Sequence, residues 1–113
     1  MSGRAFTVLN TLGAGFLEKV YESALAYEVR AADLSAVQQY GAKLHYKDIL
    51  VGEYFVDLLI NDVPLVELVT VKALDYAHRM QCTNYLKATG LPLCLLFNFW
   101  KSRLEIKRVA HGL

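Results

Sequence analysis

The segment from Leu93 to Phe99 constrains the fold more than any other part of the sequence, because it is apolar except for Asn98. A run of this length and character predicts a β-strand buried on both faces, as in a parallel sheet covered by helices. The preceding residues predict a helix from Asp75, which can cap it, to about Ala88, with Gly90 and Pro92 as stop signals. A helix that leads into a buried strand predicts a crossover between parallel strands.

The other segments predict a mixed sheet with helices on both sides. Residues with high helix propensity and helical periodicity dominate the first third of the chain, and Val, Ile, Leu, Tyr and Phe dominate most of the remainder. The remaining predicted elements are the helices Arg4–Leu12 and Phe16–Ala32 and the strands Ala36–Tyr46, broken at Gly41, Glu53–Ile60, Leu65–Val71 and Arg103–Val109. We expect a hairpin turn at Asn61-Asp62. The predicted fold class is α/β, in one domain over residues 1–113.

Composition excludes several classes of protein. Hydrophobic residues make up 55% of the 113 residues, which is too many for a disordered chain. The longest largely apolar stretch, residues 91–100, is about half of the 20 or so residues that a membrane helix needs. No secretory signal is evident, and Cys82 and Cys94 predict buried thiols in a reducing, cytoplasmic setting. A mean hydropathy of +0.28 leads us to expect a homodimer.

The net charge of +1 argues against a strongly electrostatic nucleic-acid binder, but the charge is unevenly distributed. Residues 1–71 contain five Lys or Arg and nine Asp or Glu, whereas residues 72–113 contain seven Lys or Arg and two Asp or Glu. An acidic part beside a basic part would suit a site that holds a cation and a phosphate together. Two ordinary solvated surfaces are the alternative interpretation.

Two carboxylates occupy positions that are normally apolar. Asp57 and Glu67 lie inside predicted strands, where an acid is costly unless it is paired or binds a cation. Side chains alternate along a strand, so a two-residue loop places the two acids on opposite faces. A three-residue loop, Asn61-Asp62-Val63, places them directly opposite each other, about 5 Å apart at Cβ. In that register the two carboxylates predict a divalent cation; otherwise they are edge acids that face water.

Three helical side chains are further candidates. Glu18 shares a partly apolar helix face with Tyr21. Gln81 and Tyr85 are four residues apart on the third predicted helix, on a face of small residues. They could order a water molecule or a phosphate near the strand ends, or form a buried hydrogen-bonded pair.

These residues also carry a family resemblance, which covers residues 5–109. The segment Gly15-Phe-Leu-Glu18-Lys-Val-Tyr21 resembles the signature of the GxxExxY protein family. The family's other motifs follow in the same order, at Gly52–Asp57, Val66–Leu68, Gln81–Gly90, Asn98–Phe99 and Arg103–Arg108. That family resembles the PD-(D/E)XK nuclease superfamily, so the resemblance implies the restriction-endonuclease-like α-β-β-β-α-β core.

The resemblance also implies a function. It implies a Mg²⁺- or Mn²⁺-dependent phosphodiesterase acting on nucleic acid, with Asp57, Glu67 and Glu18 as metal ligands. Asp57 and Glu67, with Gln81 and Tyr85 as the Q-x-x-x-Y element, are then the catalytic residues. We assign contact with nucleic acid to three basic side chains of the second part of the chain, Lys72, Arg79 and Lys87.

One position departs from the superfamily's pattern. The lysine expected two residues after Glu67 is replaced by Val69, which lies on the same strand face as Glu67. Lys72 is an odd number of residues from Glu67, so its side chain belongs to the opposite face and could replace the missing lysine only through a β-bulge. Lys43 or Lys87 could supply the amine from elsewhere in the fold. Two hypotheses remain, an active metal-dependent nuclease and a non-catalytic module of the same fold that binds nucleic acid or a protein partner. A small structural domain with solvated acids is a third.

Overall fold

A computed structural model describes residues 2–111 as a five-stranded sheet with helices on both faces. The elements in chain order are α1 (Ser2–Leu12), α2 (Glu18–Ala31), β1 (Ala36–Tyr46), β2 (Ile49–Ile60), β3 (Leu65–Val69), α3 (Tyr76–Thr89), β4 (Leu93–Asn98) and β5 (Glu105–Ala110). The strand order is β1-β2-β3-β4-β5; β3 and β4 are parallel, and the other neighbours are antiparallel. The predicted α/β class, mixed sheet and helical crossover are therefore confirmed.

Each face of the sheet has its own hydrophobic core. One core contains apolar residues of α1 and α2, among them Leu9, Leu25 and Val29, packed on the sheet. The other contains Leu86, Tyr85 and Cys82 of α3. Asp75 caps α3 as predicted, because its side chain accepts a hydrogen bond from the N–H of His78 while the His78 side chain accepts one from the N–H of Asp75.

The predicted break at Gly41 is wrong. β1 runs without interruption from Ala36 to Tyr46, and a Cβ at Gly41 would lie 2.8 Å from the exposed carboxylate of Glu53, a flexible side chain that can shift aside. The irregularity of β1 lies instead at Gln39, where φ is +55°, and a register shift follows between Leu44 and His45. β2 also begins earlier than predicted, at Ile49, because a tight turn at 47–48 continues the hairpin.

The β1–β2 hairpin changes face at Gln39. The ladder pairs Gln38 with Leu58 and Tyr40 with Val56 but omits Gln39 and the residue opposite it, Asp57. Leu58 belongs to the core under α1 and α2, whereas Tyr40 and Val56 belong to the core under α3. A positive φ at a residue other than glycine is uncommon inside a strand, and here it lies opposite a candidate functional residue.

The hairpin between β2 and β3 has the three-residue turn. Ile60 donates its N–H to the carbonyl of Pro64, and Leu59 and Leu58 pair with Leu65 and Val66. The same register, extended by one residue, places Asp57 opposite Glu67. Of the two loop lengths considered, the structure therefore adopts the one that brings the two acids together.

Within residues 2–111, no helix is long and apolar enough to cross a membrane.

Candidate active site

Asp57 and Glu67 lie where β2 and β3 separate. In a regular antiparallel ladder, the N–H of Leu68 would donate to the backbone carbonyl of Val56. Here it donates instead to Oδ2 of Asp57 at 2.8 Å. The N–H of Asp57 in turn donates to Oε1 of Glu67 at 3.3 Å. The two carboxylates thus replace backbone carbonyls as acceptors, which holds both acids in the gap between the strands.

On the side of α3, a hydrogen-bonded pair fixes Glu67. The Tyr85 hydroxyl donates to Oε2 of Glu67 at 3.0 Å, and the side-chain amide of Gln81 donates to the same hydroxyl at 2.6 Å. Gln81 and Tyr85 are one turn apart on α3, as their spacing predicts. They do form a hydrogen-bonded pair, and that pair contacts an acid of the site.

On the side of α2, Gln39 connects the half-buried Asp57 to a fully buried acid, Glu22. Its side-chain amide donates to Oδ1 of Asp57 at 3.3 Å and to Oε1 of Glu22 at 2.8 Å. Glu22 is only 3% exposed and also accepts from Gln38 and Lys19, each at 2.8 Å. Gln38 and Gln39 reach the same carboxylate although they are adjacent in a strand, because the positive φ of Gln39 interrupts the alternation of side chains.

These contacts form one polar network that crosses the sheet between its two hydrophobic cores. Its members, from α2 to α3, are Glu22, Gln39, Asp57, Glu67, Tyr85 and Gln81. Among the residues that the structure describes, no buried side-chain nitrogen or oxygen lacks a hydrogen-bond partner. Every buried polar side-chain atom of the network therefore has a hydrogen-bond partner, which avoids a large desolvation cost between the two cores.

Burial and mutual repulsion make the acid pair hard to ionise. Burial raises the pKa of Asp57, and the hydrogen bond from Leu68 opposes that rise. Burial, and then the neighbouring charge of Asp57, raise the pKa of Glu67 to about 8. Burial and the charge of Glu67 also raise the pKa of the Tyr85 hydroxyl above its usual range, so this hydroxyl stays a neutral donor. Without a bound cation, the pair favours holding a proton.

The segment Gly15-x-x-Glu18-x-x-Tyr21 organises the entrance to α2. Gly15 has φ +106°, a conformation that glycine adopts easily. The Tyr21 hydroxyl donates to the carbonyl of Gly13 at 2.7 Å and accepts from the N–H of Phe16, and its ring stacks on Phe99. Glu18, one turn before Glu22, is exposed and accepts from the N–H of Thr70 at 3.3 Å, at the exit of β3.

The three acids that the resemblance groups around a metal have different hydrogen-bond partners. Asp57 and Glu67 lie together, Glu18 bonds Thr70, and Glu22 is the acid of α2 that shares the network with Asp57. Between residues 2 and 111, no three His, Cys, Asp or Glu side chains are close enough together to hold a metal ion. The arrangement supplies one adjacent carboxylate pair, with Glu22 linked to it through Gln39.

The position of the missing lysine is part of a hydrophobic core. Val69 is 8% exposed and packs in the core under α3, on the side of the sheet where Glu67 meets Tyr85. Lys43 is exposed and lies opposite Glu53 on the hairpin. Lys19 is the amine that contacts the network, through Glu22. Among the described residues, neither Lys43 nor Lys87 forms an ion pair with Asp57 or Glu67.

The three predicted nucleic-acid contacts are dispersed. Lys72, just after β3, lines a cavity with Lys101 and Arg103, whereas Arg79 and Lys87 lie exposed in the first and last turns of α3. Sequence reasoning missed Glu22 and Gln39. Glu22 could have been noticed as a second acid on the face of Glu18, but Gln39 carries no sequence signal, because its role depends on a backbone irregularity.

Comparison with known proteins identifies the family. The model of the PD-(D/E)XK nuclease superfamily matches residues 1–109. Comparisons with curated proteins and with solved structures give no significant match. The family match covers nearly all of the chain, and the mixed sheet with flanking helices is consistent with the fold of that superfamily. The protein therefore belongs to the PD-(D/E)XK nuclease superfamily.

Proposed function

We propose that this protein is a metal-dependent nuclease that hydrolyses phosphodiester bonds of nucleic acid at Asp57 and Glu67. The observation that carries the proposal is the facing pair of half-buried acids at the point where β2 and β3 separate. Buried acids that are costly to ionise are typical of functional sites. Membership of the nuclease superfamily supports the choice of substrate.

The donor set fits Mg²⁺ or Mn²⁺. Mg²⁺ is commonly bound through one or two carboxylates, with water and substrate phosphate completing its coordination. Asp57 and Glu67 would hold the ion. Glu18 bonds Thr70 at the exit of β3 in the metal-free structure, and we propose that it becomes a third ligand only if its side chain leaves Thr70 and turns toward the pair. When bound, such an ion neutralises phosphate charge and lowers the pKa of a coordinated water.

The surrounding side chains would orient the two acids. Tyr85 directs its hydroxyl to one oxygen of Glu67, and Gln81 holds that hydroxyl from the opposite side. Gln39 fixes one oxygen of Asp57, and the N–H of Leu68 fixes the other. Contacts of this kind preserve the directions of metal ligands, and losing one typically costs 10- to 100-fold in affinity or activity.

A second candidate function is a nucleic-acid-binding module without catalysis. The buried Val69 favours it, because the position that would hold the catalytic lysine has become part of a hydrophobic core. Lys19, which bonds Glu22, is the amine that would replace the missing lysine in an active enzyme. The two candidates therefore differ in whether any amine serves the acid pair.

Cleavage assays separate the two candidates. Single- and double-stranded DNA and RNA are incubated in Mg²⁺ or Mn²⁺ with wild type, Asp57→Asn, Lys19→Met and Val69→Lys, and with Asp62→Asn as a control at an exposed turn acid. Cleavage by wild type and Asp62→Asn but not Asp57→Asn supports the nuclease, and its loss in Lys19→Met identifies the compensating amine. Cleavage by Val69→Lys alone supports the second candidate, a site that lost catalysis when the lysine was replaced.

Calorimetric titration with Mn²⁺ tests metal binding independently of cleavage. We expect wild type and Val69→Lys to bind the ion and Asp57→Asn to bind it much more weakly. If no protein binds Mn²⁺ and none cleaves, the metal-dependent proposal fails, and the binding module becomes the better description.

We also propose that the protein forms a homodimer in the cytoplasm. The outer part of the β1–β2 hairpin carries exposed apolar side chains, including Tyr46, Ile49, Val51 and Phe55. Such a patch is costly to leave in water. Cys82 and Cys94 are free and buried, which fits a reducing compartment.

A further inference from the structure

Two adjacent cavities lie beside the C-terminal ends of β3 and β4 and share Trp100 as a common wall. The first, of about 400 Å³, is lined by Lys72, Lys101 and Arg103 among others. The second, of about 470 Å³, is lined by Phe16, Leu17 and Phe99 among others, together with Thr70. Both volumes lie in the range of small-molecule sites. Neither cavity includes Asp57 or Glu67.

The first cavity is cationic. Lys72, Lys101 and Arg103 are all exposed and have no ion-pair partner among the described residues, and Glu105 is the acid in the lining. All three cations come from the basic part of the chain, residues 72–113. Unpaired Lys and Arg side chains around a concave surface attract phosphate.

Asn98, only 3% exposed, gives this cavity a defined shape. Its side-chain amide donates to the carbonyl of Val71 at 2.8 Å and to Glu105 at 3.2 Å. Its side-chain oxygen accepts from the N–H groups of Val71 and Trp100, at 3.1 and 3.2 Å. One buried side chain thus joins three chain segments, those that carry Lys72, Trp100 and Glu105, so the cationic wall is built on a rigid base.

The second cavity is apolar and open to solvent. Leu17 is 79% exposed, and Phe16 and Trp100 are also exposed. The Thr70 N–H donates to Glu18, and the Tyr21 hydroxyl accepts from the N–H of Phe16 and donates to the carbonyl of Gly13, so these bonds hold the Thr70 and Phe16 walls of this cavity in place. Trp100, whose backbone N–H is bonded to the buried Asn98, provides an exposed aromatic ring on which a planar base can stack.

We propose that the two cavities bind one unpaired nucleotide of a single-stranded nucleic acid, with the phosphate against Lys72 and Lys101 and the base stacked on Trp100. A base in a duplex is already stacked and cannot enter a cavity without unpairing. The inference rests on the proposed function for its class of ligand. It adds a nucleotide-binding surface, distinct from the acid pair, that holds the strand at the exits of β3 and β4.

The protein's single tryptophan makes the proposal directly measurable, because all tryptophan emission comes from Trp100. Full-length Asp57→Asn in EDTA is titrated with a thymidine oligonucleotide at low salt. We expect saturable quenching of the emission, weakened roughly tenfold or more in Asp57→Asn/Lys72→Gln/Lys101→Gln. The same double change should reduce the slope of log affinity against log salt by about 1.4.

The matched control removes two lysines elsewhere. Asp57→Asn/Lys43→Gln/Lys47→Gln has the same net charge, and both residues lie exposed on the β1–β2 hairpin. We expect its affinity to stay within about twofold of the Asp57→Asn parent, since these side chains are outside both cavities. Equal losses in the two double changes would overturn the proposal in favour of a diffuse electrostatic attraction.

A labelled oligonucleotide tests the stacking by anisotropy, which does not need the tryptophan. Trp100→Leu should weaken binding by roughly 5- to 150-fold, as expected for one lost base stack. Unchanged affinity would overturn the assignment of the base. Equally tight binding of a duplex, or of thymidine monophosphate, would overturn the assignment to a single strand.

The failures of the two proposals are distinguishable. If Trp100 emission is quenched but wild type cleaves nothing in Mg²⁺ or Mn²⁺, the nucleotide site stands and the proposed hydrolysis falls. If wild type cleaves and no quenching occurs, the acid pair stands and the nucleotide site falls.

Discussion

The carboxylate of Asp57 accepts a 2.8 Å hydrogen bond from the backbone N–H of Leu68 in the neighbouring strand. An aspartate side chain therefore serves as the acceptor that a carbonyl provides in a regular ladder. The bond keeps Asp57 beside Glu67, and it gives this residue a structural role that is separate from any role in metal binding.

The stability of two Asp57 variants should show that structural role. Asp57→Ala leaves the N–H of Leu68 without its acceptor, so we expect the free energy of unfolding to fall by about 1–3 kcal/mol. Asp57→Asn keeps an acceptor oxygen and should be clearly more stable than Asp57→Ala. Urea unfolding measures both, with the exposed Asp62→Ala as control; equal stability of the two Asp57 variants would contradict the prediction.

The stability of the metal-free protein should fall as pH rises from about 4.5 to 8. The pKa of Glu67 is raised from 4.5 to about 8, so the folded state holds a proton that the unfolded state releases. That contribution is complete below pH 4.5 and is lost as pH rises through the folded-state pKa. The slope approaches about 1.4 kcal/mol per pH unit at most.

Glu67→Gln isolates this effect from other titrating groups. In EDTA, the difference in unfolding free energy between wild type and Glu67→Gln should move in favour of the variant as pH rises across that window. Urea unfolding at several pH values measures it. A difference that does not change with pH would show that Glu67 titrates normally in the folded protein.

Removing the hydroxyl of Tyr85 should disturb the site more than the fold. Tyr85→Phe deletes the hydrogen bond to Glu67 and the acceptor of Gln81, while the ring stays in the core. We expect Mn²⁺ affinity, and cleavage if wild type cleaves, to fall about 10- to 100-fold. The loss of stability should be about 1 kcal/mol.

A second tyrosine provides the control for that substitution. Tyr76→Phe alters an exposed tyrosine on the same helix and should change neither metal affinity nor stability appreciably. An unchanged Mn²⁺ affinity in Tyr85→Phe would remove Tyr85 from the proposed site.

Two variants of Gln39 should separate backbone strain from the lost amide contacts. Both Gln39→Gly and Gln39→Val remove the hydrogen bonds to Asp57 and Glu22. Glycine tolerates φ +55°, whereas a β-branched residue does not, so the valine variant should be less stable by about 1–3 kcal/mol. Thermal or urea unfolding compares them. If the valine variant is the more stable, a regular strand without the face change is preferred in solution.

Charges on the outer hairpin should dissociate the proposed homodimer. Ile49→Lys/Val51→Lys places two like charges on exposed apolar positions of β2, and light scattering at micromolar concentration should then report a monomer. Tyr27→Lys, at an exposed position of α2, is the control and should remain dimeric. A monomeric wild type under the same conditions would contradict the proposal.

Much of the fold and half of the site follow from local sequence. The turn between β2 and β3 and the alternation of side chains along a strand are properties of neighbouring residues. They therefore predict two alternative registers, and one of these places Asp57 opposite Glu67. The helical spacing of Gln81 and Tyr85 is equally local, and so is the capping of α3 by Asp75. The loss of the lysine at position 69 is also evident from the sequence.

Only the tertiary structure decided which acid of α2 is linked to Asp57 and Glu67, and which basic residues meet in the cationic cavity. Glu22 reaches Asp57 through Gln39 because a positive φ turns two successive side chains toward one helix, a conformation that no local propensity of Gln39 predicts. The cationic cavity unites Lys72 with Lys101 and Arg103 because parallel strands end at the same edge of the sheet. Residues far apart in sequence meet there through packing, which periodicity alone does not encode.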